Sequence, residues 1–96
     1  MNDSSSAPVA SLPQRLTLDD AVVALGQLER EVAAQPGTTA LVDASALQAF
    51  DSSAVAVLLE LRRSLLAQGK TLQIQHWPQR LRDLVTLYGV AELLQA

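Results

Sequence analysis

Residues 51–53 read Asp-Ser-Ser and lead into a strongly apolar stretch, AVAVLLELRRSLLA. A carboxylate and two hydroxyls at such a boundary admit three chemistries. The first is capping: about four backbone N–H groups at a helix start lack internal partners, and a side chain that accepts from one of them stabilises a helix by about 1 kcal/mol. Capping needs one polar residue. It leaves a second hydroxyl, and the Phe50 ahead of it, unexplained. The second is modification. A helix N-terminus favours an anion by about 0.3–1 kcal/mol, up to ~2 in good geometry, so a phosphate on Ser52 or Ser53 leaves the fold intact. In a docking surface the same phosphate adds about −1.5 to −2 charge, and desolvating an unmatched ion costs several kcal/mol. A loss of about 3–4 kcal/mol weakens binding by roughly two to three powers of ten.

The third chemistry is nucleophilic catalysis, which needs a base within hydrogen-bond reach of a serine and an orienting group behind it. His76 is the single histidine, so the conceivable triad is Ser53, His76 and Asp43 or Asp51. There is no G-x-S-x-G elbow and no Gly-rich oxyanion loop, and little chain from which to build a pocket. The expectation is a protein that is not an enzyme. One histidine, no cysteine and no paired carboxylates at helical spacing nearby predict no metal and no cofactor. Trp77, the single tryptophan, lies outside the helical stripes. It either covers the sheet end beside Pro78 or anchors an interface, where tryptophan is enriched.

The elements that must hold these residues follow from periodicity. VASLPQRLTL reads as an opening strand or strand pair interrupted at Pro13. Thr17 sits at an N-cap with Asp20 three residues on, a short-armed capping box. Ala21, Leu25, Leu28 and Val32 then mark one face of a helix, which Gln35-Pro36-Gly37 stops. TALVD (39–43) has no helical period and suits a strand covered on both faces. Residues 52–68 form the strongest helix, with Val55, Leu58, Leu61 or Arg62, and Leu65 as its stripe and Gly69 as its C-terminal signal. KTLQIQ (70–75) alternates as a strand, and Pro78 suits the first position of a helix whose apolar face is Leu81, Leu84, Val85 and Tyr88. Gly89 ends that helix, and VAELL is a final helical turn or two. Strands alternating with helices predict an α/β fold: a small, mixed or partly parallel sheet with helices packed on it. The Asp51 segment then lies beyond the carboxyl end of a strand, where function usually sits in open α/β sheets.

The totals agree. Ninety-six residues, 49% apolar, suffice for one domain with a modest core. Aromatics are only 3%, so that core must be leucine, valine and alanine. Residues 1–8 are polar and Ser-rich and are expected to be a flexible tail, with 9–96 the folded domain. No apolar run approaches the ~20 residues that span a bilayer, and MNDSSSAP is not a signal peptide, so a soluble cytoplasmic protein is expected. Net charge is −3, unevenly spread: residues 1–60 carry two basic and eight acidic groups, residues 61–96 five basic and two acidic. Arg62, Arg63, Lys70, Arg80 and Arg82 lack the density and interleaved aromatics of a nucleic-acid groove. They read as solvated helix faces, the sharper alternative being a basic flank for an acidic partner.

The segment LVDASALQAFDSSAVAVLLELRRSLLAQGKTLQI resembles the STAS domain pattern. In that pattern a strand is followed by Asp-x-Ser, a short loop, Asp-Ser-Ser-Gly, a long apolar helix and the next strand. The likeness runs from Leu12 to Leu94 and implies a STAS-like fold. It also implies two alternatives. In anti-sigma factor antagonists the second serine of the motif is phosphorylated by an anti-sigma factor kinase, which maps to Ser53. In the STAS subunit of Mla-type phospholipid-transport ABC complexes, a hydroxyl matching Ser52 is needed for activity. LTLDDA, the ending PQRLRDLVTLYGVAELL and the short N-terminal region are more similar to the Mla branch, and Ala54 stands where the phospho-switch branch has glycine.

The resemblance therefore implies a subunit that binds and regulates or stabilises the cytoplasmic ATPase of such a transporter. It would act in phospholipid trafficking and outer-membrane lipid asymmetry, peripheral to the inner face of the inner membrane through the complex. Phe50, Asp51, Ser52, Ser53, Ala54 and Trp77 are the expected partner-binding residues, with Ser53 or Ser52 the candidate phosphorylation sites.

Overall fold

A computed structural model describes residues 9–96; the expected tail, residues 1–8, lies outside the described residues. In chain order the elements are β1 (Ala10–Ser11), β2 (Arg15–Leu16), a 3-10 turn (Leu18–Asp20), α1 (Ala21–Ala33), β3 (Thr39–Asp43), β4 (Ala49–Phe50), α2 (Ser52–Ala67), β5 (Thr71–Gln75), α3 (Gln79–Leu87) and α4 (Ala91–Leu94). The strands form two small parallel sheets, one ordered β1-β3-β5 and the other β2-β4. In the first, Val42 of β3 is in register with Ala10 and Ile74. In the second, Leu16 is in register with Phe50. The fold is thus α/β, as the alternation of strands and helices predicts. The opening strand is indeed a pair, split at Pro13 between the two sheets.

The three-stranded sheet buries one face. Ala10, Ala40, Val42, Leu72 and Ile74 point into the core, whereas Ser11, Thr39, Thr71 and Gln73 face solvent. The expectation that 39–43 is covered on both faces is corrected. Alternation along TALVD is real, but alanine, leucine and valine hide it in the sequence. Leu41 on the outer face is half-buried, and its backbone is held by Gln35, whose amide donates to the Leu41 carbonyl at 2.8 Å and accepts from its N–H at 2.7 Å. Gln35 supplies the ladder bonds that the two-residue β1 is too short to reach, which explains why it is a buried polar residue, 6% exposed.

The helices pack on the buried face. α1 contributes Ala24, Leu28 and Val32, and Ala21 and Leu25 pack at the margin. The 3-10 turn before it is fixed by Asp20, whose carboxylate accepts from both the N–H and the hydroxyl of Thr17 and pairs with Arg15 at 3.0 Å. These contacts, Arg15 foremost, lower the Asp20 pKa to about 2. α2 is buried along Ala54, Val55, Val57, Leu58, Leu61 and Leu65, a wide stripe suited to a helix that meets α1, α3, α4 and β5 together. Gly69 follows it at φ +76°, a left-handed conformation that costs glycine nothing. In α3, Leu81 and Val85 are buried but Tyr88 is exposed, correcting its place in the apolar face. Pro78 is the N-cap of α3 rather than its first helical residue.

Candidate functional site

The short strand β4 delivers the chain to the tip of α2, and Asp51 organises that tip. Its backbone is extended, and Oδ1 accepts from the Ser53 N–H at 2.8 Å, the bond expected of an N-cap. Its Oδ2 accepts from the N–H of Leu18 at 3.2 Å, so one carboxylate satisfies free donors of two helical elements far apart in sequence. Both bonds favour the charged form. The Ser53 N–H is the larger cause, and with the Ser53 hydroxyl and Leu18 N–H it holds the Asp51 carboxyl below the ordinary carboxylate value.

The residues expected at this site divide by burial. Asp51 and Ser52 are exposed, and Ser53 is half-buried, its N–H bonded to Asp51. Ala54 is fully buried, at 0% exposure, so it cannot touch a partner directly. Its place in the packed row Ala54, Leu58, Leu61, Leu65 was legible in the spacing of four, three and four. Phe50 is not freely exposed either. It packs against the core, and the Arg80 guanidinium lies 4.7 Å from its ring centroid while donating to the Gln48 carbonyl at 3.3 Å. Trp77 is half-buried against the core, with Arg82 stacked over it at 5.7 Å. It does not line the depression that contains Ser52.

That depression, about 280 Å³, is lined by Phe50, Asp51, Ser52, Arg80, Asp83, Leu84 and Leu87. α3 supplies four of these side chains, none of which the motif indicates. The signal in the sequence was Leu87, an apolar residue off the α3 stripe, which is 76% exposed. Leu18, whose N–H is bonded to Asp51, is a further exposed apolar residue.

His76 occupies a different location, the carboxyl end of β5. Its Nδ1 lies 3.1 Å from Asp43 Oδ1, and Asp43 also accepts from the Ser45 N–H at 2.9 Å. The Ser45 N–H and hydroxyl, more than His76, hold the Asp43 carboxyl below its usual value. Two members of the conceivable triad thus meet, but no hydrogen bond joins His76 to Ser53 among the described residues. Nor do the described residues contain a cluster of three or more histidine or carboxylate side chains able to hold a metal ion.

An Asp-x-Ser turn closing β3, an Asp-Ser-Ser cap opening α2 and a following parallel strand are now in place. A family description, the Mlab-type STAS domain, matches residues 2–95. The chain belongs to the STAS domain family. No curated protein matches the sequence. The match covers nearly the whole chain, and the α2 tip of this STAS domain lies within it. Among the described residues, no helix is long and apolar enough to cross a membrane.

Proposed function

We propose that this STAS domain is a non-enzymatic subunit that docks through the tip of α2 onto the cytoplasmic ATPase of an Mla-type ABC transporter, and so regulates or stabilises it in phospholipid trafficking and outer-membrane lipid asymmetry. The observation that carries this reading is the division of labour at the tip. Asp51 spends both oxygens on the fold, and Ser52 stands exposed beside an open, largely apolar depression. A hydroxyl on a capped, preformed helix start beside apolar surface suits protein docking, because little backbone order has to be imposed on binding. His76 is engaged by Asp43 rather than by a serine, which supports a role without catalysis. Membrane association would then come through the transporter complex.

The second reading is an anti-sigma factor antagonist phosphorylated at Ser53. It is disfavoured by two observations. Ser53 is half-buried and its N–H is bonded to the Asp51 carboxylate, so a phosphate there would sit close to a like charge, and Ala54 fills a fully buried position where the phospho-switch branch has glycine.

Co-expression with the ATPase subunit tests the first reading. The wild-type domain is expected to co-purify with it in fixed stoichiometry. Ser52→Trp, which adds bulk without charge at an exposed helix start, is expected to abolish co-purification. The thermal midpoint should stay within about 3 °C, as for other exposed substitutions. Co-purification of the Ser52→Trp variant at wild-type stoichiometry would refute docking through the tip.

A further inference from the structure

The three-stranded sheet has two outer edges, and they differ. In a parallel ladder, alternate residues of a strand turn their N–H and C=O groups to opposite neighbours. On β1, Leu12 donates inward to the Asp43 carbonyl at 2.9 Å, so the Ser11 N–H points outward. Glu31 of α1 seals that edge, its carboxylate accepting from the Ser11 N–H at 3.3 Å. On β5, Thr71 donates inward to the Thr38 carbonyl at 2.8 Å, and the Gln75 carbonyl accepts from Ala44 at 2.9 Å. The backbones of Thr71, Gln73 and Gln75 therefore bond toward β3, and those of Leu72 and Ile74 point outward. β3 is the one strand beside β5, and no hydrogen bond from residues 9–96 reaches these outward groups. α4 touches β5, but its last backbone N–H groups bond within its own turn. Leu72 and Ile74 keep 5% and 6% exposure, against 1% and 0% for Ala40 and Val42, their register partners on β3. Open edges are ordinarily blunted by charge, proline, a bulge or brevity. β5 has none of these: TLQIQ runs five residues without charge or proline and pairs with β3 residue for residue.

We propose that the β5 edge pairs with β5 of a second copy, antiparallel across a two-fold axis, so that two sheets become one. The strand matches itself in a register centred on Gln73. There the Leu72 and Ile74 N–H groups of each copy donate to the Ile74 and Leu72 carbonyls of the other. Gln73 faces Gln73 and Thr71 faces Gln75, so no like charges oppose. Beyond the strand ends, Lys70 stands opposite His76, which lies 3.1 Å from the Asp43 carboxylate. A cation thus meets an acidic end at both flanks. The match of backbone, neutral face and end charges makes the interface isologous, which selects a second copy over an unrelated strand.

Cross-linking tests the register. Gln73 bonds inward, so across the axis it forms a non-hydrogen-bonded pair with Cα atoms about 4.5 Å apart. A disulfide spans about 4.4–6.8 Å. The protein has no cysteine, so full-length Gln73→Cys should form an interchain disulfide on mild oxidation, read on a non-reducing gel. Thr71→Cys, which faces Gln75 instead, should not. Sedimentation of the wild-type protein should show a concentration-dependent dimer. Gln73→Lys and Gln73→Glu should each weaken it at least about ten-fold, and mixing the two should restore a dimer containing one of each. All variants should keep the wild-type circular dichroism spectrum. Equal cross-linking of the two cysteine variants, or a wild-type protein that stays monomeric up to about 1 mM, overturns the proposal. If the free protein is monomeric and Gln73→Lys loses the ATPase subunit on co-purification, the edge receives a strand of that partner and self-pairing is refuted.

Discussion

Asp43 and Asp51 build the same local turn in two places. Each lies two residues before a serine, and each accepts that serine's N–H on Oδ1, at 2.9 Å for Asp43 and 2.8 Å for Asp51. The two turns lead into different surroundings. After Asp43 the chain enters the loop Ala44–Gln48, and the carboxylate turns its remaining capacity to His76, an exposed side chain. After Asp51 the chain enters a helix of 16 residues, and the carboxylate reaches the backbone of Leu18. An Asp-x-Ser turn is therefore a local device whose importance is set by what it joins. At Asp43 it ties two strand ends at the surface. At Asp51 it ties the longest helix of the domain to the 3-10 turn that leads into α1, and so fixes the backbone that carries Ser52.

Removing each carboxylate separates the two. Asp51→Ala loses a helix cap and the Leu18 contact together, and is expected to lower the thermal midpoint by roughly 5 °C or more. Asp43→Ala loses a loop turn and an exposed pairing, and should cost less than half of that, about 2 °C. Thermal unfolding followed by circular dichroism measures both. Equal losses would mean that the Leu18 contact adds nothing and that the two turns are equivalent.

The serines beside Asp51 divide along the same line. Ser52 is exposed, and Ser53 is half-buried with its N–H bonded to the carboxylate. Ser52→Glu adds an anion to the first turn of α2, where the free N–H groups favour it, and should leave the midpoint within about 1 °C. Ser53→Glu places a second carboxylate against Asp51 in a half-buried setting and should lower the midpoint by about 2–4 °C. A Ser53→Glu variant as stable as wild type would reopen Ser53 as a site where a phosphate is harmless to the fold.

Periodicity made much of this architecture legible. Helices over 21–33 and 52–67 and the strand over 71–75 follow from spacings that a local rule can read. The cap at Asp51 is also local, since aspartate before a helical stripe has a defined use. The missing features are those that join distant parts of the chain. β4 is two residues long, and only its pairing with β2 makes it a strand. The bond from Leu18 to Asp51 spans 33 residues, and Arg80 meets Phe50 across 30. Ala54 illustrates a different failure: alanine is compatible with surface and core alike, and only its row with Leu58, Leu61 and Leu65 decides for the core. Proximity to a motif is no substitute for that periodicity.

The smallest effect at the Asp51 turn should appear in acid. The Asp51 carboxyl titrates below its ordinary value because its charged form accepts from Ser53 and Leu18. Its contribution to stability is therefore fully present above about pH 4, the unfolded value, and is lost as pH falls through the lower folded one. The substitution Asp51→Asn keeps a neutral acceptor at the cap, and asparagine caps helices about as well as aspartate. This variant should accordingly resemble wild type at neutral pH far more than Asp51→Ala does, and its midpoint should decline slightly less as the pH is lowered from about 4 to about 2, by about 1–2 °C. Some acid sensitivity must persist in the variant, because Asp20, with its pKa of about 2, loses its hold on Arg15 and Thr17 over the same range. An Asp51→Asn midpoint that fell as steeply as wild type would show that the charge of Asp51 adds nothing to its hydrogen bonds, and that this turn works through geometry alone.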